Sequence, residues 1–164
     1  MKPGTVALIL VLAIVVFATR SASSAEPSAP VPSLQLSPDL QQLFQAEMRE
    51  LLLATQKIAG SLPIANWDGI ASSAMAMRDS YVLEKKLTTA QRRDLEKLPE
   101  KFKVLDEAFH VRAEKLAHAA QAKDAEAVSF QFSRLLDTCV ACHSTFAQPQ
   151  FPNFRSEAGA EHRH

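Results

Sequence analysis

Four stretches of the sequence carry mostly apolar residues at steps of three and four, the spacing that lines one face of an α-helix. The four stripes are Leu40, Phe44, Met48, Leu51, Thr55 and Ile58; Trp67, Ile70, Ala74, Met77 and Tyr81; Phe102, Leu105, Phe109, Ala113, Leu116 and Ala120; and Val128, Phe132, Leu135, Cys139, Cys142, His143 and Phe146. Only four glycines occur in 164 residues, too few for the many tight turns of an all-β fold, and no convincing strand alternation or internal repeat is present. Because the connections are short except the second, the sequence predicts an all-α fold, an antiparallel four-helix bundle.

The predicted helix ends carry residues that favour capping. Ser37, Asn66 and Asp124 are natural N-caps for the first, second and fourth helices. In the longer second connection, Thr88 and Gln91 have the spacing of a capping box, which predicts a short additional helix there.

The N-terminus has the pattern of a secretory signal peptide. Lys2 precedes an apolar run over residues 6–18, and small residues follow up to Ala25. An uncleaved membrane anchor is the alternative, but the run is shorter than the roughly 20 apolar residues that span a bilayer. We therefore expect cleavage after Ala25, export to the periplasm and no stable membrane insertion of the mature chain.

Three prolines follow the signal peptide, in a stretch that favours an extended tether over a helix. The predicted organisation is a signal peptide over residues 1–25, a Pro-rich flexible leader over 26–36, a four-helix domain over 37–147 and a C-terminal tail over 148–164.

The charge balance argues against a nucleic-acid partner. The sequence has 18 basic and 18 acidic residues. Loss of residues 1–25 removes Lys2 and Arg20 but no acidic residue, which leaves 16 basic against 18 acidic residues. Proteins that bind nucleic acids normally need a clustered basic excess, which this chain lacks.

The two cysteines of the chain lie in one motif, Cys139-Val140-Ala141-Cys142-His143. The spacing Cys-x-x-Cys-His is typical of covalent c-type haem attachment. Two thiols one helical turn apart can each add to one vinyl group of a porphyrin, and the adjoining imidazole can bind the iron. The sequence therefore predicts one covalently attached haem c, held by Cys139 and Cys142, with His143 as an iron ligand.

Three other interpretations of the cysteine pair are weaker. A structural disulfide suits an exported protein, but it leaves His143 unexplained. A thioredoxin-like redox pair expects a βαβ context, which the sequence does not show. A structural zinc site needs four ligands, and no second cysteine pair exists to complete one.

The position of the motif near the end of the last helix, followed by Phe146, resembles the cytochrome c-prime family and its low-spin, methionine-ligated relatives. The resemblance covers roughly Ser37 to Phe146 and implies a helical bundle that encloses one haem c. His143 is then the proximal ligand, and the first helix closes the distal side.

The family places its distal residue on the core stripe of the first helix, and Met48 matches that position. The resemblance implies that Met48 lines the haem pocket. Because a thioether within reach of a haem iron usually binds it, Met48 is the predicted distal iron ligand, as in the low-spin relatives. In five-coordinate members a bulky side chain at that position only shields the iron, and a further alternative for Met48 is an ordinary core residue. Two positions depart from the family pattern: Phe44 replaces an arginine one turn before the distal residue, and Ala147 replaces a basic residue after Phe146.

These features together predict a periplasmic electron carrier with transient redox partners, and no enzyme activity, because no acid–base or nucleophile–base constellation accompanies the motif. The alternative is a five-coordinate protein that binds nitric oxide or carbon monoxide. A peroxidase-like enzyme ranks last because the first helix supplies apolar rather than polar distal residues.

Several further residues carry expectations. Met75 and Met77 are predicted to fill the core, and His110 and His118 to lie on a solvated flank of the third long helix. The apolar segment Phe151–Phe154 is predicted to fold back over the haem edge or the helix ends. Surplus leucines on the first helix, together with the dimers of related proteins, allow a homodimer through the first two helices.

Overall fold

The computed structural model describes residues 34–80 and 87–154 of the chain. In these ranges the protein forms five α-helices, which are α1 (Pro38–Ser61), α2 (Trp67–Arg78), α3 (Thr89–Glu96), α4 (Glu100–Gln121) and α5 (Ala125–Phe146). Two short 3-10 helices follow α1 and α5, at Leu62–Ile64 and Pro152–Phe154, and the described ranges hold no strand. The predicted all-α fold is confirmed: α1, α2, α4 and α5 are the four long helices of the bundle. The predicted signal peptide, Tyr81 and the end of the C-terminal tail lie outside the described residues.

Most of the predicted helix caps are present. Thr88 and Gln91 form the capping box, with the Gln91 amide donating to Thr88 Oγ1 at 3.3 Å and the Thr88 amide donating to Gln91 Oε1 at 2.8 Å. The side chains of Asn66 and Asp124 each accept a hydrogen bond from the backbone N–H three residues later, at 3.1 and 2.9 Å. Ser37 precedes α1, but its side chain makes no capping hydrogen bond, so α1 begins on its proline instead.

The main core lies between the four long helices. Its largest fully buried side chains are Ile58, Ile70, Met77, Leu116, Val128 and Leu135. Small residues such as Ala74, Ala113 and Ala117 are also fully buried there, and they let the helices approach closely. Met75 packs against this core and Met77 lies within it, as predicted.

The buried stripe of α1 differs from the predicted one. Its inward residues are Leu40, Phe44, Glu47, Leu51, Ala54 and Ile58, which alternate steps of four and three. Glu47 is 7% exposed, whereas Met48 is 41% exposed. The expectation that Met48 lies on the buried stripe is therefore wrong, because a helix that turns 3.6 residues per turn here presents position 47 inward.

The prediction for His110 is also wrong, while that for His118 is confirmed. His110 is 6% exposed, and its Nδ1 lies 2.9 Å from the backbone carbonyl of Arg78, at the end of α2. Because a carbonyl oxygen only accepts, Nδ1 donates in this hydrogen bond. α4 packs against both α2 and α5, so its buried face is wider than one apolar stripe and includes His110. His118 is exposed.

None of the helices in residues 34–80 and 87–154 has the length and apolarity that a membrane crossing requires.

Candidate functional site

The two cysteines lie on the last two turns of α5 and face two different clusters of buried side chains. Cys139 packs against the main core. Cys142 packs against a second cluster, hereafter the aromatic wall, formed by Leu98, Phe102 and Phe146. At a spacing of three residues, the two thiols lie on the same side of the helix. The sequence thus places both thiols at the junction between the main core and the aromatic wall.

Both thiols are unpaired and half-buried. Burial raises the pKa of Cys142 to about 11, with further contributions from Asp106 and Cys139, and burial also raises the pKa of Cys139. Both side chains are therefore protonated thiols at neutral pH. A thioredoxin-like pair needs a lowered thiol pKa, so this environment argues against that interpretation. In residues 34–80 and 87–154, no group of three or more Cys, His, Asp or Glu side chains is arranged to hold a metal ion such as zinc.

His143 follows Cys142 and is half-buried near the C-terminal end of α5. Its ring stacks on Phe151, with centroids 4.7 Å apart and planes at 21°. Burial lowers the pKa of His143 and so favours the neutral imidazole, the form that binds metals.

The aromatic wall, together with Phe44 that packs against it, joins three helices beside Cys142. Phe102 of α4 lies at its centre, with its ring centroid 5.7 Å from that of Phe44 on α1 and 5.7 Å from that of Phe146 on α5. Phe44, Leu98 and Phe102 also line a cleft of about 400 Å³. The cysteines thus lie beside an apolar surface that continues into a cleft between helices.

Acidic side chains line the same cleft. Glu47 of α1 and Asp106 of α4 both border it. The pKa of Glu47 is raised to about 7, mainly by burial and further by Asp106 and Glu50. Asp106 also raises the pKa of Cys142, so its carboxylate lies near both residues. Sequence reasoning missed Glu47 and Asp106, because a charged residue on a helix normally indicates the solvated face.

The structure brings Cys139, Cys142 and His143 together but does not place Met48 in either buried cluster. Met48 lies on α1 next to Glu47, one turn after Phe44, which packs against the aromatic wall. α1 therefore borders the cleft through Phe44 and Glu47, whereas the distal position of α1 and the role of Met48 as an iron ligand stay predictions.

The predicted C-terminal segment folds back over the end of α5. Phe151 covers the His143 ring, and the ring of Phe154 meets Phe151 edge-on at 6.3 Å. Of the two predicted positions for the segment Phe151–Phe154, the haem edge and the helix ends, the structure shows contact with a helix end, because His143 lies in the last turn of α5.

The residues of this site fit a c-type haem. Two protonated thiols on one side of a helix can each form a thioether, and a neutral imidazole follows directly in sequence. The aromatic wall supplies an apolar surface next to Cys142. The fit therefore rests on the two thiols, on the His143 imidazole and on the apolar side chains beside Cys142.

Comparison with known proteins gives one match. The family model described as Cytochrome C' matches residues 64–147, which is just over half of the chain and includes α2 to α5 with the complete Cys-x-x-Cys-His motif. Neither the curated proteins nor the solved structures that were compared with the chain gave a match. With a helical bundle, two unpaired thiols and an adjacent histidine in the matched region, the chain belongs to the cytochrome c′ family.

Proposed function

We propose that this protein is an exported electron carrier that holds one haem c through Cys139 and Cys142, with His143 and Met48 as axial ligands of the iron. Membership of the cytochrome c′ family implies the haem c cofactor. The single observation that carries the proposal is the placement of two unpaired, half-buried thiols on α5 with His143 directly after them on the same helix.

Each residue of the site has a part in this function. Cys139 and Cys142 anchor the cofactor covalently, so that it stays with the protein in an exported setting. His143 would bind the iron, and the aromatic wall would place an apolar surface beside the cofactor that Cys142 holds. The bound haem supplies an iron that alternates between ferric and ferrous states and so carries one electron.

Met48 is the candidate second ligand because the other described methionines, Met75 and Met77, pack in or against the core. Met77 is fully buried and Met75 packs against the main core. Ligation requires position 48, rather than position 47, to face inward in the haem-loaded protein.

Gas binding is the second candidate function, and the exposure of Met48 favours it. If Glu47 keeps the inward position, the iron has no thioether ligand and stays five-coordinate on the distal side. A small diatomic molecule could then bind the open position.

The optical spectrum of the purified holoprotein, oxidised and reduced, with and without carbon monoxide, separates the two functions. Electron transfer through His143 and Met48 predicts a low-spin spectrum that does not respond to the gas. Met48→Ala should then give a high-spin, gas-responsive spectrum, while the matched control Leu52→Ala, which removes an exposed apolar residue one turn further along α1, should not. A wild-type protein that is high-spin and binds carbon monoxide contradicts Met48 ligation and supports gas binding.

The remaining parts of the proposal concern location and partners. The pattern of residues 1–25 supports export to the periplasm. The balance of 16 basic against 18 acidic residues in the mature chain argues against a nucleic-acid partner, and the redox partners of the proposed carrier are transient. Exposed Leu52 and Leu53 on α1 support a homodimer through α1 and α2. Sedimentation of the holoprotein tests the dimer, and detection of the processed chain in the periplasmic fraction tests export.

A further inference from the structure

Phe151 is the aromatic side chain that stacks on the histidine of the haem motif. The two ring centroids lie 4.7 Å apart and the planes differ by 21°, so the rings are nearly parallel. Phe151 lies beyond the end of α5 and outside the region that the family model matches. Although 44% of its surface is exposed, it covers one face of the His143 ring.

Backbone hydrogen bonds fix the position of Phe151 over that ring. The Ala147 amide donates to the His143 carbonyl at 3.0 Å, and the Phe151 amide donates to the Ala147 carbonyl at 3.0 Å. His143, Ala147 and Phe151 are thus connected by two successive hydrogen bonds that each span four residues, the second within the turn that follows α5. The Phe154 amide then donates to the Phe151 carbonyl at 3.1 Å, and the Phe154 ring meets Phe151 edge-on.

Histidines that bind metals usually have a second partner that sets the orientation of the ring. In most proteins this partner is a carboxylate, carbonyl or water that accepts a hydrogen bond from the other ring nitrogen. Within residues 34–80 and 87–154, the His143 ring has no hydrogen bond or ion pair to protein atoms, and Phe151 provides its aromatic contact.

We propose that Phe151 is a positioning residue for His143, and that its stacked ring sets the plane of the axial imidazole and shields one imidazole face from water. The proposal rests on one part of the proposed function, which is iron binding by His143. Stacking leaves both ring nitrogens unobstructed, because the contact is made through the π-face, whereas metal binding uses a lone pair in the ring plane. Loss of the stack frees rotation about the bond that joins the ring to Cβ.

The orientation of an axial imidazole can be measured in the oxidised, haem-loaded protein. The g-values of the ferric EPR signal depend on the imidazole plane, and the midpoint potential depends on ligand orientation and on solvent exposure of the site. The test therefore compares EPR spectra and midpoint potentials of the wild-type holoprotein with those of Phe151→Leu. This substitution keeps an apolar side chain but removes the ring. Phe151→Tyr keeps the ring and should behave like the wild type.

The matched control is Phe130→Leu, the same substitution at a residue that is 56% exposed and precedes the motif on α5. We expect Phe151→Leu to broaden or split the ferric EPR signal and to shift the midpoint potential, while Phe151→Tyr and Phe130→Leu leave both unchanged. A Phe151→Leu spectrum and potential identical to the wild type would overturn the proposal. Phe151→Leu could also fail to retain haem. In that case the positioning role is supported if circular dichroism shows unchanged helix content and Phe151→Tyr loads haem normally. An equal loss of haem in Phe151→Tyr overturns it.

Failure of the proposed function gives a different result. A His143→Ala holoprotein whose spectrum matches the wild type shows that His143 does not bind the iron, whatever the behaviour of the Phe151 variants. A changed His143→Ala spectrum combined with an unchanged Phe151→Leu spectrum rejects only the positioning role.

Discussion

Phe102 on α4 meets Phe146 on α5 edge-on, with ring centroids 5.7 Å apart and ring planes at 73°. This pair forms the centre of the aromatic wall, against which Cys142 packs. Aromatic pairs in this orientation stabilise a protein beyond the area that they bury. The contact therefore connects the helix that carries the haem motif to the helix that lines the cleft.

Truncation of Phe102 should destabilise the fold and weaken the site together. Phe102→Ala removes a buried ring at the centre of the wall, and such changes cost about 3 to 5 kcal/mol of unfolding free energy. Urea denaturation of the holoprotein measures the loss, and the control Phe130→Ala, at an exposed position on α5, should cost much less. Equal losses in the two variants would contradict the buried position of Phe102.

The buried carboxyl of Glu47 should make stability depend on pH. Its pKa is raised from 4.5 to about 7, chiefly by burial, so the folded state holds the proton more tightly than the unfolded state. Its contribution is therefore fully present below about pH 4.5 and is lost as pH rises towards 7, by an amount on the order of 3 kcal/mol. The measurement is the free energy of unfolding of the haem-free protein in urea at several pH values, because the proposed ligation by Met48 turns position 47 outward once haem is bound.

Glu47→Gln isolates this contribution, because it keeps the shape of the side chain and removes its titration. The difference in unfolding free energy between the wild type and this variant should change between pH 4.5 and 7. If the difference in unfolding free energy between the wild type and Glu47→Gln does not change with pH, Glu47 does not titrate as a buried group.

The hydrogen bond of His110 to the end of α2 should contribute to stability. His110→Ala removes the donor that reaches the Arg78 carbonyl at 2.9 Å and leaves a gap in a buried position, which should cost about 1 to 3 kcal/mol. His118→Ala, an exposed histidine on the same helix, should be neutral within about 0.5 kcal/mol. Thermal and urea denaturation of both variants check this difference, and a neutral His110→Ala would argue against the bond.

Covalent retention of haem should require the two thiols. The double variant Cys139→Ala/Cys142→Ala should carry no haem in a denaturing gel, and each single variant can form at most one bond. Val140→Ala, an exposed position between the two cysteines, is the matched control and should retain haem fully. Haem that stays covalently attached in the double variant would exclude the thiols as anchors.

Sequence reasoning predicted the four long helices, the capping box at Thr88 and the helical placement of Cys139, Cys142 and His143. These features depend on local patterns: periodicity, capping chemistry and the spacing of one motif. It did not predict that Glu47 faces inward while Met48 does not. Two adjacent positions on a helix differ by only about 100° in direction, so the packing of neighbouring helices decides between them.

The burial of His110 and the stacking of Phe151 on His143 depend on tertiary contacts in the same way. His110 lies beside the apolar stripe of α4, and only the approach of α2 brings the Arg78 carbonyl to it. The apolar segment after α5 was visible in the sequence, but its partner depends on backbone bonds past the helix end, which no local pattern specifies.

The separation between the two sides of the cleft has a consequence for the order of assembly. The thiols and the adjoining imidazole lie within five consecutive residues, which one stretch of helix can present even in a nascent chain. Phe44, by contrast, lies nearly a hundred residues earlier and reaches the aromatic wall only when the tertiary fold has formed. The motif therefore forms from local helical contacts alone, whereas the contact of α1 with the aromatic wall closes a loop of nearly a hundred residues and needs the complete tertiary fold.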